Sequence, residues 1–247
     1  MFSSSGIMTG RISSAGMGPS DLLYPKDLAV DRKGNAIVAD ASEKVKVFSP
    51  HAKLLFSFPF NRPDHVGVLS DGRILVSGFP KDFLMSVFGQ NGMLQGGIGT
   101  PAKADDQPSF NSVLNMGTIA VDSDDNIYYA FRFMLTPTIR KYSASGTLVA
   151  EWHLKDGEVL KQILVAARKE YEKNKKSGSY GGVPIFTAAT FDEDSKTLWV
   201  ASGVQLTELD GSGNVVRIVK LVRPDGRPLS ADGIVVDSSL DILGRGL

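Results

Sequence analysis

The chain has 247 residues, 42% hydrophobic and 22% charged, which is enough apolar material for one large all-β domain or two small ones. Lysine plus arginine equals aspartate plus glutamate at 27 each, so no global field draws the protein to nucleic acid or an anionic membrane. Cysteine is absent, which excludes a disulfide framework and a cysteine nucleophile, and no run of about 18 apolar residues spans a membrane.

Residues 1–18 are rich in Ser, Gly and Met and lack the basic start and continuous apolar stretch of a signal peptide. They read as a flexible lead-in or a partial blade. The next stretch, residues 24–60, carries a pattern that recurs down the chain. Leu28-Ala29-Val30 is an apolar strand, Asp31-Arg32-Lys33-Gly34-Asn35 a polar turn, and Ala36-Ile37-Val38-Ala39 a second strand. Gly and Asn tolerate the positive φ that a tight hairpin requires. Lys44-Val45-Lys46-Val47-Phe48 alternates with period two, and Leu54-Leu55-Phe56-Ser57-Phe58 follows the next turn. Four antiparallel strands in roughly 40 residues, repeated, predict the blades of a β-propeller.

Comparable units occupy residues 61–97, 115–154 and 185–222, and a partial one begins at residue 231. In two of them the repeat Asp is replaced, by Leu69 and Phe191. Gly96 to Phe110 reads as a small polar surface loop. Residues 156–176 differ: Leu160, Ile163, Leu164, Ala167 and Tyr171 recur at helical spacing. Asp156 can cap this helix, lysines lie at its C-terminal end, and Gly178 follows. Such a helix serves as a packing element, or as a lid or partner-binding helix.

The unit running from Tyr24-Pro25-Lys26-Asp27-Leu28-Ala29-Val30-Asp31 through Gly34-Asn35-Ala36-Ile37-Val38-Ala39-Asp40 to Val45-Lys46-Val47-Phe48 resembles the NHL-repeat and related six-bladed β-propeller families, loosely over residues 15–243. The resemblance implies a six-bladed all-β propeller, into which the helix of residues 156–176 is inserted. Only four full units and the start of a fifth are found, so the remaining blades lie outside this chain, or residues 2–12 help to close the ring, or the edges stay open. The resemblance also implies a periplasmic or secreted setting, although the chain shows no export signal.

In such propellers the residues just before each first strand line the channel mouth. Aligning the units places Asp27, His65, Thr118, Thr187 and Gly233 in equivalent positions, with Lys26, Asp64, Gly117, Phe186 and Asp232 one residue earlier. Converging carboxylates from Asp27 and Asp232 can hold calcium. His65 beside a carboxylate can act as a base. Lys26, Asp64, Thr118 and Thr187 are candidate ligand-binding residues. The gluconolactonase-like set of a Glu, two Asn and an Asp is not reproduced. His51 and His153 fall in a turn and at a strand end. Asp122-Ser123-Asp124-Asp125-Asn126 begins like a calcium loop, but Ile127 stands where glycine is needed. No aromatic residues interleave the basic ones, so nucleic acid is not expected as a partner. The expected function is a binding module for a small molecule or a protein partner. The alternative is a calcium-dependent lactonase- or esterase-like hydrolase or lyase.

Overall fold

The computed structural model describes residue 5 and residues 7–155, 157–231 and 233–234. Four four-stranded antiparallel sheets are built in chain order, each a meander of adjacent strands. Blade 1 comprises β1 (Pro25–Val30), β2 (Ala36–Asp40), β3 (Lys44–Phe48) and β4 (Leu54–Pro59). Blade 2 comprises β5 (His65–Val68), β6 (Ile74–Ser77), β7 (Met85–Phe88) and β8 (Leu94–Ile98). After helix α1 (Pro108–Leu114) comes blade 3, with β9 (Gly117–Val121), β10 (Ile127–Phe131), β11 (Thr138–Tyr142) and β12 (Leu148–His153). Helix α2 (Glu158–Ser177) leads to blade 4, with β13 (Ala188–Asp192), β14 (Thr197–Ser202), β15 (Gln205–Leu209) and β16 (Val215–Lys220).

The expectation of six blades and one inserted helix is therefore corrected. The described residues form four blades and two helices, because six came from the resemblance, whereas only four stretches supply the paired hairpins a blade needs. The partial fifth unit, 231–247, lies largely outside the described residues, and Ala231, Gly233 and Ile234 carry no strand. The surface loop expected between units two and three is also corrected. It contributes β8 as far as Ile98 and then α1, whose Phe110, Val113 and Leu114 are buried.

Two compact units divide the chain, Met1–Gly78 with Met85–Gly96 and Phe79–Leu84 with Gly97–Leu247. In the first unit, blades 1 and 2 share a core of Ile37, Ala39, Val45, Val47, Val66 and Val76, with the tilted rings of Phe58 and Phe88 4.4 Å apart. The alternation of the strands leaves blade 1 with a second apolar face, formed by Ala36, Val38 and Phe48 and turned away from this core. Ile12, Leu22 and Leu54 pack on it. Lys46 lies in the same row as Phe48 and is 4% exposed. Its Nζ reaches the backbone oxygen of Asp21 and lies 3.8 Å from Asp40. Asp40 in turn accepts N–H bonds from Leu23 at 3.0 Å, Tyr24 at 2.8 Å and Ser42 at 3.2 Å. Burial pushes the Asp40 carboxyl up, but these amide donors outweigh it and the pKa falls below the usual value. The polar pair thus ties residues 21–24 to blade 1 while Ile12 and Leu22 cover its apolar face.

In the second unit, blades 3 and 4 share a core that includes Tyr128, Ala130, Ile139, Leu198, Val200 and Leu209, and Tyr128 stacks on Phe191 at 5.3 Å. The other face of blade 4, with Trp199, Ala201 and Leu206, is covered by Leu221, Leu229, Ala231 and Ile234. Backbone bonds from Leu221 to Val204 and from Ala231 to Gly203 hold that cover down.

Helix α2 buries Leu160 and Ala167, with Ile163 and Leu164 packed alongside. It ends on Gly178 in the left-handed conformation, φ 70°. Its N-cap position is Gly157, and Asp156, expected to cap it, lies outside the described residues. Between α1 and α2 about 10 Å³ of space remains, lined by Phe110, Leu114, Leu135, Ala167 and Tyr171, room for at most one water. This packing is that of a structural element rather than a lid over a cavity. A latch fixes its far end. Lys175 donates to Asp105 at 2.8 Å, and the Tyr171 hydroxyl donates to the same carboxylate. The hydrogen bond from Lys175, then that from Tyr171, lowers the Asp105 carboxyl from about 3.8 to about 2. Asn111 on α1 and Asn115 at its C-cap bind the backbone of Ala104 and Ala102, which holds the loop bearing Asp105.

Replacing Asp40 by Ala leaves Lys46 buried without its carboxylate, and urea unfolding is expected to show a loss of about 3–5 kcal/mol from the first unit. Asp105→Asn is expected to cost about 1 kcal/mol at neutral pH. Because the folded-state pKa of Asp105 is depressed, its contribution is complete above about pH 4 and is lost as pH falls toward 2. Acid titrations of the wild type and Asp105→Asn should therefore converge near pH 2. A constant gap between them across that range contradicts the latch.

Candidate functional site

In the first unit the opening residues of β1 and β5 lie side by side. Each is the edge strand of its sheet, so one row of its backbone groups has no ladder partner. Asp27 supplies one. Its Oδ2 accepts the Val66 N–H at 3.0 Å and lies 3.2 Å from His65 Nδ1. The other ring nitrogen, Nε2, lies 3.6 Å from Asp64 Oδ2. The His65 side chain is 11% exposed, that of Asp64 15% and that of Asp27 30%. The imidazole is thus clamped between two carboxylates that still reach solvent, and the nitrogen a base turns toward its substrate faces Asp64. An imidazolium donates from both nitrogens to such a pair, a neutral ring from one. Lys26 is exposed beside Asp27.

Of the residues selected from the sequence, Asp27, Asp64 and His65 come together in this way. Thr118 and Thr187 belong to the second unit and are buried, at 3% and 8% exposure. Thr187 Oγ1 donates to the backbone oxygen of Ala231 at 2.5 Å, so its hydroxyl is engaged in holding the segment that covers blade 4. Asp232 lies outside the described residues.

The strand pairing also refines the alignment of the units. Asp27 faces Ala39, His65 faces Ser77 and Thr118 faces Ala130, all in register, but the position opposite Ala201 is Ala188 rather than Thr187. The shift arises in the hairpin of blade 4. Phe191 pairs with Leu198 as Val30 pairs with Ala36, so the repeat Asp is not replaced there. It is Asp192, followed by a turn one residue longer. Asp192 accepts the N–H of Asp194 and the hydroxyl of Ser195, with the Ser195 bond first in holding its carboxyl below the usual range. The turn before Ile127 closes on Asp122, which accepts the N–H groups of Asp124 and Asn126 and the side-chain amide of Asn126. Its carboxylate is consumed by its own hairpin.

Of the two residues expected to hold calcium, only Asp27 lies among the described residues. That ion takes six to eight oxygen ligands, whereas the Asp27 oxygen already holds an amide and an imidazole. Among the described residues, no group of three or more His, Asp or Glu side chains is arranged to hold a metal ion. No described helix is long and apolar enough to cross a membrane.

Sequence reasoning missed the amide of Val66, because backbone groups have no signature. It also missed a second concavity of the first unit, a wedge of about 190 Å³ at the hairpin ends of blades 1 and 2.

No protein-family model matches the chain, and no curated protein matches it. Among solved structures it is similar to a protein of unknown function from Bacteroides caccae, with a TM-score of 0.45 and 15% sequence identity over 79% of this chain. This chain spans 60% of the length of that one.

Proposed function

We propose that the chain is a binding module whose first unit uses Asp27, Asp64 and His65 to hold a small ligand bearing an amine or guanidinium group. The observation that supports this reading is the clamping of one imidazole between two carboxylates. Both carboxylates reach solvent, and charge-assisted bonds to a cationic donor are the strong ones. Lys26, exposed next to Asp27, is placed to meet an acidic group on the same ligand. The binding role fits a propeller blade scaffold, which by itself does not fix an activity. His65 then acts as the spacer that holds the two carboxylates apart.

The test is a thermal-shift and calorimetric titration of the full chain with L-arginine and, separately, with calcium chloride. A ligand that binds only the native state raises the melting midpoint with its saturation. Arginine is expected to raise it, and Asp64→Asn to weaken arginine binding about tenfold with little loss of stability. Asp27→Ala is expected to be different, because it also orphans the Val66 amide and costs about 1–3 kcal/mol. A rise with calcium, reversed by EDTA and lost in Asp27→Ala, makes the site a metal site instead. No response to either compound overturns the proposal.

A further inference from the structure

The neutral total charge conceals a separation of charge within the second unit, independent of the Asp27 cluster in the first. Along helix α2, Lys161, Val165, Arg168, Lys169, Glu172 and Lys176 follow one another at helical spacing, and all six are exposed. Lys161, Arg168, Lys169 and Lys176 form no ion pair among the described residues. The lysines beside this row are engaged, Lys173 with Glu170 at 3.2 Å and Lys175 with Asp105 at 2.8 Å. Glu172 is the single carboxylate in the row, and Val165 within it is 71% exposed. The opposite stripe of the helix, with Leu160 and Ala167, is buried, so the basic face is fixed outward.

Acidic residues gather at the other end of the strands this helix covers. The first hairpin turns of blades 3 and 4 carry Asp122, Asp124, Asp125, Asp192, Glu193 and Asp194, with Lys196 as the one basic residue in either turn. The two turns are joined, since the Ser123 N–H and hydroxyl donate to Glu193 at 2.5 Å and 2.6 Å. Lys196 is taken up by Glu193 at 2.9 Å. Asp124 and Asp194 are exposed and form no ion pair among the described residues. Strand β14 sets the distance between the two surfaces. The acidic turn of blade 4 runs into its first residue, Thr197, and α2 meets the turn that follows its last, Ser202. There a Cβ on Gly203 would lie 3.3 Å from Ile163, and one on Gly157 2.8 Å from Gln205. The strand between them spans about 20 Å, more than twice the Debye length of about 8 Å at physiological salt. Charges that cannot meet within one copy can meet between two. We infer that the chain associates head to tail with a second copy of itself, the basic face of α2 on one copy seated on the acidic turns of blades 3 and 4 of the next. Such a contact joins unlike surfaces and leaves one of each free, so association grows with concentration.

The experiment is sedimentation velocity of the full chain over a concentration series, in about 10 mM and about 1 M sodium chloride, where the Debye length is about 30 Å and about 3 Å. Association is expected in dilute salt and is expected to be lost in concentrated salt. Two charge-reversed variants test the contact itself. Arg168→Glu with Lys169→Glu, and Asp124→Lys with Asp194→Lys, alter exposed positions only. Each variant alone is expected to sediment as a monomer in dilute salt. In an equimolar mixture the basic helix of the second variant meets the acidic turns of the first, and association is expected to return, limited to pairs. A wild-type chain that stays monomeric in dilute salt, association that strengthens with salt, variants that associate as the wild type does, or a mixture that stays monomeric each overturns the proposal. So does a monomeric chain that sediments with anionic phospholipid vesicles, because the basic face then has a membrane as its occupant.

Discussion

A four-stranded sheet with apolar side chains on both faces has to be covered twice. Each blade here is such a sheet, since β2, β6, β10 and β14 are buried along their whole length. One face is covered by the neighbouring blade of the same unit. The remaining face of blade 1 is covered by Ile12 and Leu22, and that of blade 4 by Leu221, Leu229 and Ala231. Irregular segments can serve this purpose only if their backbone groups find partners. In blade 1 the partners are Asp40 and Lys46, a polar pair set within an apolar face. In blade 4 they are the backbone groups of the β14–β15 turn and the hydroxyl of Thr187.

Where sheet edges meet, the same requirement produces the polar cluster. The amide of Val66 needs an acceptor, and Asp27 provides it. Once that carboxylate is in place, His65 fills the space beside it and Asp64 meets the far nitrogen. A structural staple and a recognition surface are thus built from the same three side chains. Their remaining exposure supports the reading as a site, and the Val66 bond sets what removal of Asp27 does to the fold. Helix α2 plays a different part. Its apolar stripe continues the core of blades 3 and 4, and its last turn is latched through Lys175 and Tyr171 to Asp105.

Much of this was legible from the chain. Apolar runs between polar turns located the sixteen strands of the described residues to within a few residues, and the first hairpin of each blade has a residue at positive φ, glycine at Gly34 and Gly72, and Asp125 and Lys196 in the two later blades. The 3.6-residue spacing located α2. Helix α1 was missed although Phe110, Val113 and Leu114 fall at helical spacing, because seven residues are too few for a period to stand out. The longer turn of blade 4 was missed because Phe191-Asp192 presents an apolar residue followed by an acidic one, and either can be aligned with the repeat Asp. Asp27, Asp64 and His65 were found by register alone.

The sequence by itself determined the strands, the order in which they pair and the class of the fold, because these follow from local periodicity and turn chemistry. It also placed Asp27 and His65 at equivalent strand starts, with Asp64 one residue earlier. Only the tertiary structure decided that there are four blades among the described residues, that Asp40 and Lys46 anchor a cover, and that His65 is clamped rather than open. The physical reason is one of range. Strand and turn formation depend on neighbours along the chain, whereas desolvation, charge pairing and the shape of a cavity depend on groups separated by tens of residues that only folding brings within a few ångströms.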